Sequence, residues 1–478
     1  MPKDIFFSIS EAADRIGGTF YPDSDAKKTL PQMFRVDSRE VAPGEGFIAI
    51  KGANVDGHDY IGRAVESGAS VVLLERAYFE ANKEVLKKLP ASFLIAEESE
   101  RSEKAAVRLA RAWLDEVSPK TVGITGSVGK TTTRELLEGV LKKNFRVHAA
   151  KKSYNTLIGC SMTILSMPAA TEILILELGT NHPGEIADLI AAFPVTHGLI
   201  TEISPAHLEG LQSIEGVCTA KMEIASSRAM KFLSYNSDNE ILSSAIARVR
   251  SEIRCVGVGA TSGDIRISNV TQRIGADGVP CLSLELSHGG RMFSCSADLY
   301  GRQNARNIAL AYSVATEFGL TDEMFAAALK SASLPAGRGN IEALPGGGFL
   351  IDDTYNANPD SVSYALRNVI ELDLPEECRR IAVLGGMREL GGDSKYWHEV
   401  VMSRAGLFDE VHLVGSEWDG VETKQSSLAG KWKDADAFIA KFDFSSVKKS
   451  VILVKGSRFY ALERLLPYFR SVKGEGRA

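Results

Sequence analysis

The chain has 478 residues, 44% hydrophobic and 24% charged, with a net charge of −6. That length suits two to four domains, and the composition is that of a globular chain, which excludes a disordered or fibrous protein. Acidic and basic residues are interspersed without a basic stripe, which argues against a nucleic-acid partner. No run approaches ~18 apolar residues, so no membrane span is expected.

The elements fall into three regions. Residues 1–96 open with Ser8 and Glu11 at capping-box spacing, the mark of a helix start. Short apolar runs (FIAI, SVVLLE, SFLIAE) then alternate with turn clusters, giving a small α/β domain. Residues 97–336 begin with a helix expected over Ser99–Glu116. The runs TVGITG, EILILELG, HGLITEI, KFLSYN and IRCVGVG follow, separated by helical patterns. Such alternation predicts a mostly parallel sheet with helices on both faces. Between 264 and 300 the pattern changes to alternation with glycine turns (IRISNV, CLSLEL, RMFSCSADL), predicting a small antiparallel insertion. Residues 337–478 carry GFLIDDTYN, RIAVLGG, EVHLVG and SVILVKG, a Rossmann-like α/β pattern without G-x-G-x-x-G. The tail SVKGEGRA reads as frayed. Six cysteines lie singly, with no C-x-x-C pair, and read as reduced thiols in a cytoplasmic protein.

The stretch VGITGSVGKTTTRELLEGVL carries the chemistry. A buried strand runs into Gly126, Ser127, Val128 and Gly129, then Lys130, Thr131 and Thr132 open a helix. Backbone N–H groups in such a loop converge on an anion, and the helix start adds partial positive charge. Lys130 supplies a cation for phosphate, and Thr131 a hydroxyl for a magnesium shell. The strict P-loop spacing needs glycine at 124, where Ile124 stands, so an ordinary strand–turn–helix has to be weighed against it. Glu177 closes a second hydrophobic strand, His207 follows a third and Lys221 lies on a predicted helix. Each alone suits a structural or solvent-facing role; three after consecutive strands are harder to place by accident.

With these residues the sequence resembles the Mur ligases, ATP-dependent enzymes that extend the peptide of peptidoglycan precursors. Their loop, G-T/S-x-G-K-T-[ST], is matched by Gly126–Thr132. The segments DSREVAPGEGFIAIKG, DGHDYI, ELGTNHPGEI, AHLEG, DDTYNANPDS, RIAVLGGMRELG and VKGSR occur in the family's order across nearly the whole chain. They are most similar to the branch that adds D-alanyl-D-alanine to UDP-N-acetylmuramoyl-tripeptide. A D-N-P-R string, usual in the branch adding the third residue, does not occur.

The resemblance implies specific roles. Lys130 would contact ATP phosphates, and Thr131 and Glu177 one Mg²⁺. His207 and Lys221, the latter as a CO₂-derived carbamate, would hold a second. Asn304 would lie near adenine, Arg338 at the phosphates and Asp353 at the ribose. Tyr355, Asn356 and Asn358 would share that ATP-facing loop. Ser38 and Arg39 would hold the UDP end and Asn155 the peptide side. Lys455, Ser457 and Arg458 would lie near the incoming amine, and the protein would be a monomer. The sequence departs from the family pattern at Thr156, Leu157, Gln303 and Gly386. Blander roles also fit: Asn155 or Asp353 as caps, Arg458 as a surface ion-pair partner. Rival readings are the third-residue-adding ligase, a folylpolyglutamate-synthase-like ligase, and a nucleotide-dependent regulator that ligates nothing.

Overall fold

The computed structural model describes residues 6–471 except 53, 98–99, 151–152, 276–277, 376 and 422–426. The tail expected to fray lies outside the described residues from 472 onward, as does the expected helix start at Ser99.

Three α/β units follow one another. In the first, strands Phe34–Arg35, Gly46–Ile48, Val71–Leu74 and Ser92–Ile95 are parallel neighbours in that order. Thr19–Tyr21 joins the far edge antiparallel. The predicted helix start is present: Ser8 and Glu11 form a capping box on the helix Ile9–Ile16.

The central sheet has nine strands. Lys120–Thr125, which leads into the glycine loop, lies between Ile173–Glu177 and His197–Ile200, all parallel. Phe232–Asn236 and Arg254–Gly259 extend the parallel part. Successive side chains of a strand point to opposite faces. Thus Leu174 and Leu176 enter one core, shared with the helix Ser102–Val117 and its buried Trp113. Ile173 and Ile175 enter the other, beneath the helices Lys130–Leu141 and Asn304–Glu317. A strand buried on both faces must be apolar throughout, which explains the continuous run EILIL.

The antiparallel segment does not stand apart. Ile265–Ile274 pairs parallel with Arg254–Gly259, and Pro280–His288 and Arg291–Ala297 then continue the same sheet antiparallel. Leu282, Leu284 and Leu286 turn inward onto the second core, while the alternate positions are half-exposed.

The third sheet places Gly348–Asp353, Ser450–Lys455, Arg379–Gly385, Glu410–Val414 and Leu428–Trp432 side by side in parallel. Asn340–Ala343 caps the first edge antiparallel. Among the described residues no helix is long and apolar enough to cross a membrane, and all six cysteines are free thiols.

Candidate active site

The site forms where the C-terminal ends of the central strands meet the third unit, around a cavity of about 280 Å³. Its floor is the glycine loop. Gly126 has φ +144° and a Cβ there would overlap the Thr201 hydroxyl; Gly129 has φ +91° and its Cβ would come 2.6 Å from Asn307 Oδ1. Glycine is therefore required at both positions. Gly129 is also the N-cap of the helix Lys130–Leu141, and no side chain caps that helix. The first-turn N–H groups and the helix dipole thus face an anion site with no side chain serving them.

Lys130 Nζ folds back onto the Gly126 carbonyl. Burial draws its ammonium down to about 8, with Glu177 opposing and Arg338 adding to the shift. Thr131 Oγ1 donates to Glu177 Oε2 at 3.0 Å and accepts from Arg338 Nη2 at 3.1 Å. Arg338 comes from the third unit, its guanidinium stacked 3.9 Å over the Tyr355 ring, and burial lowers its pKa from the ordinary arginine value. Ser127, Thr132, Asn155, His207, Asn304, Asp353, Tyr355, Asn356, Asn358, Lys455 and Ser457 also line the cavity.

Several of these side chains are committed within the protein. Asn304 Nδ2 donates to the Tyr300 carbonyl at 2.8 Å, and its Oδ1 accepts from Asn307 at 2.9 Å. Asp353 pairs with Lys455 Nζ at 2.7 Å; burial still pushes its carboxyl upward. Asn358 forms a capping box with Ser361 on the helix Pro359–Ile370, so its side chain has a structural task in addition to any ligand. Lys221, on the helix Ile214–Met222, is 1% exposed, and burial followed by the neighbouring Lys130 pushes its ammonium well below the ordinary value.

Five predicted residues are not among those lining this cavity: Gly126 and Lys221, described above, and Ser38, Arg39 and Arg458. Ser38 is buried in a short turn of the first unit, and Arg39 is exposed there and forks onto Asp37 at 2.6–3.1 Å. Arg458 lies at the rim, 5.2 Å over Tyr355.

The departures have local explanations. Thr156 N-caps the helix Leu157–Leu165 by accepting from Gly159 N at 3.3 Å, and Leu157 opens that helix. Gln303 Oε1 accepts from Asn368 Nδ2 at 2.6 Å, tying the central unit to the third. A Cβ at Gly386 would come 2.5 Å from Glu417 Oε2, so Glu417 fills the space a side chain at 386 would need.

Two residues that the sequence did not single out complete the site, Arg134 beneath it and Glu389 in its lining. Arg134, 2% exposed, donates Nε to Glu177 Oε1 at 2.7 Å and holds the Ala150 carbonyl, Glu135 and Glu138 with its remaining nitrogens. Glu389, from the third unit, meets His207 Nδ1 at 2.5 Å, and that contact lowers the Glu389 pKa.

Among the described residues no three His, Cys, Asp or Glu side chains converge as a metal cluster. The Thr131 hydroxyl and Glu177 carboxylate nevertheless present adjacent hard oxygens, which fits Mg²⁺. An ammonium at Lys221 offers a cation no donor, and a free amine is a poor ligand for a hard ion, so a Mg²⁺ site shared by His207 and Lys221 needs the amine converted to an oxygen ligand.

A three-sheet α/β protein with a glycine–lysine loop opening a helix, and a second unit closing over it, is a phosphate-binding enzyme built to work between domains. Three family models match the chain: the Mur ligase family catalytic domain at 32–115, the Mur ligase middle domain at 124–315, and the Mur ligase glutamate ligase domain at 337–458. A UDP-N-acetylmuramoyl-tripeptide–D-alanyl-D-alanine ligase of Mycobacterium tuberculosis is 31% identical over 430 residues, covering 86% of this chain and 83% of the relative. The MurF ligase of Thermotoga maritima, solved in complex with ADP, is 30% identical with a TM-score of 0.76, covering 92% and 97% of the two chains. MurF of Acinetobacter baumannii shares the fold with a TM-score of 0.82 at 22% identity, over 98% and 100%. The chain belongs to the Mur ligase family.

Proposed function

We propose that the chain is an ATP-dependent ligase that joins D-alanyl-D-alanine to UDP-N-acetylmuramoyl-tripeptide, forming an amide with release of ADP and phosphate. The observation that carries this reading is the single cavity in which Lys130, Thr131 and Glu177 of the central unit meet Arg338, Asp353 and Lys455 of the third. The names of relatives covering most of the chain supply the substrates.

A carboxylate is a poor acyl donor because its leaving group would be oxide. The tripeptide carboxylate attacks the γ-phosphorus, the bond to ADP breaks, and an acyl phosphate forms. Lys130 and Arg338 offset the charge crowded at the transferring group and hold it in line, while the open helix N-terminus receives phosphate oxygens. The dipeptide amine then attacks the acyl carbon, loses a proton, and expels inorganic phosphate as the amide forms. No protein nucleophile is needed. The third unit covers the cavity and keeps water from the acyl phosphate.

Magnesium, when bound, would neutralise phosphate charge; Thr131 and Glu177 would hold one ion, and His207 with Lys221 a second. Lys221 would serve as a carbamate: burial disfavours its ammonium and so favours the amine form with which CO₂ combines. Residues 1–96 hold the UDP end through Ser38 and Arg39, residues 97–336 hold ATP near Asn304, and residues 337–478 bring the amine past Lys455, Ser457 and Arg458. The enzyme works as a cytoplasmic monomer.

Phosphate release in an omission series tests the reading. Release that requires ATP, Mg²⁺, the UDP-tripeptide and D-alanyl-D-alanine together, with a product heavier by the dipeptide minus water, is the expected result. Release that accepts another amine in place of the dipeptide moves the chain to a sister ligase. ATP turnover indifferent to both substrates refutes ligation.

A further inference from the structure

The incoming dipeptide is a zwitterion. Its amine must reach the acyl carbon, which leaves a carboxylate about 7 Å away at the other end of two extended residues. Such a carboxylate needs a cation at the mouth of the cavity, on the unit that delivers the amine.

Most cations there are already engaged. Lys130 lies on the Gly126 carbonyl, Arg338 on Thr131 and Tyr355, and Lys455 on Asp353 and the Asn356 carbonyl. Arg388 differs. It lines the cavity from the loop after the strand Arg379–Gly385, and its side chain is 44% exposed. Its guanidinium lies 4.0 Å over the Phe459 ring. Its Nε edge faces Glu417 Oε1 at 3.7 Å, and the other Glu417 oxygen takes the Tyr460 hydroxyl. Glu417 can stand there because residue 386 is glycine. Phe459 covers one face of the guanidinium and Glu417 approaches its Nε edge, while among the described residues neither Nη group has a hydrogen-bond partner. A planar fork with both Nη groups open matches a carboxylate with two parallel hydrogen bonds.

We propose that Arg388 binds the carboxylate of the incoming dipeptide, with Phe459 and Glu417 as the residues that position its guanidinium. The assignment rests on the ligase reading above and adds to it the group that selects a free C-terminal carboxylate on the amine substrate.

The test compares D-alanyl-D-alanine with its C-terminal carboxamide as amine substrates of the full chain. The wild type is expected to prefer the carboxylate in kcat/KM on the order of 100-fold, the scale of a charged pair lost on one side. In Arg388→Gln that preference falls to within about threefold, through a raised KM for the dipeptide, with the KM values for ATP and UDP-tripeptide unchanged. Arg388→Lys restores part of the preference, and Phe459→Leu and Glu417→Gln lower it to intermediate values. In Arg458→Gln it persists, whatever the rate. Retention of the full preference in Arg388→Gln overturns the assignment, as does its loss in Arg458→Gln alone. A wild type that ligates both compounds equally refutes Arg388 as the selector while leaving the ligase reading intact. A wild type that ligates neither removes the ligase reading and this assignment together.

Discussion

Arg134 and Glu177 form a buried ion pair at the centre of the site, and its removal from one side has a calculable cost. Glu177 is 1% exposed and Arg134 2%. Arg134→Met takes away the 2.7 Å bond to Glu177 Oε1 and leaves that carboxylate one hydrogen bond, from the Thr131 hydroxyl, with only the longer-range charges of Lys130 and Arg338 beside it. Uncovering one partner of a buried pair costs about 3–5 kcal/mol. The reverse change is milder. In Glu177→Gln, Arg134 keeps Glu135, Glu138 and the Ala150 carbonyl, so a loss of about 1–2 kcal/mol follows. The double variant should then be more stable than the sum of the two losses by at least ~2 kcal/mol, because no bare charge remains. A three-unit chain does not unfold in one step. The free energy is therefore read locally, by hydrogen exchange in urea on peptides from the strand Ile173–Glu177 and the helix Lys130–Leu141. A loss below ~1 kcal/mol in Arg134→Met, or strict additivity in the double variant, would refute the view of Arg134 as the compensating charge.

Two further outcomes follow from the geometry. His197 is 7% exposed, and burial, with Lys120 and Lys231 adding, lowers its pKa to about 4. The unfolded chain binds that proton near pH 6.5, so the stability His197 contributes is present above 6.5 and is lost as pH falls toward 4, by about 3 kcal/mol in all. Local unfolding free energies measured between pH 4 and 7 should show this slope, and His197→Gln should flatten it. For Lys221, Lys221→Ala should lower ligation by at least ~100-fold, with partial recovery in added acetate or formate. Full activity in Lys221→Ala would remove the carbamate from the mechanism.

The strands around the site were readable because burial on both faces demands unbroken apolar runs, and the phosphate loop because its glycines and lysine are fixed by backbone geometry. The short edge strands Thr19–Tyr21, Val147–Ala149, Asn340–Ala343 and Leu428–Trp432 escaped notice, since they are partly exposed and carry no such run. Arg134 was hidden for a different reason. Beside Glu135 and Glu138 on a helix it looks like one of a set of solvated charges, and only the approach of Glu177 and the Ala150 carbonyl buries it. Glu389 gains meaning from its contact with His207 of the central unit, and Arg388 from Phe459 and Glu417, distant in sequence within the third.

The contact of Glu389 with His207 crosses from one unit to another, and an imidazole has two unlike nitrogens. Nδ1 is 2.5 Å from the carboxylate but not aligned for a hydrogen bond; a turn of the ring that aligned them would favour the proton on Nδ1 and leave a lone pair on Nε2. The tautomer of a side chain in the central unit thus depends on where the last unit stands. Withdrawing Glu389 returns the ring to a mixture of forms. Closure of the proposed kind would then select an electronic state as well as a shape, and by reciprocity anything that prefers a bare Nε2 would draw the two units together.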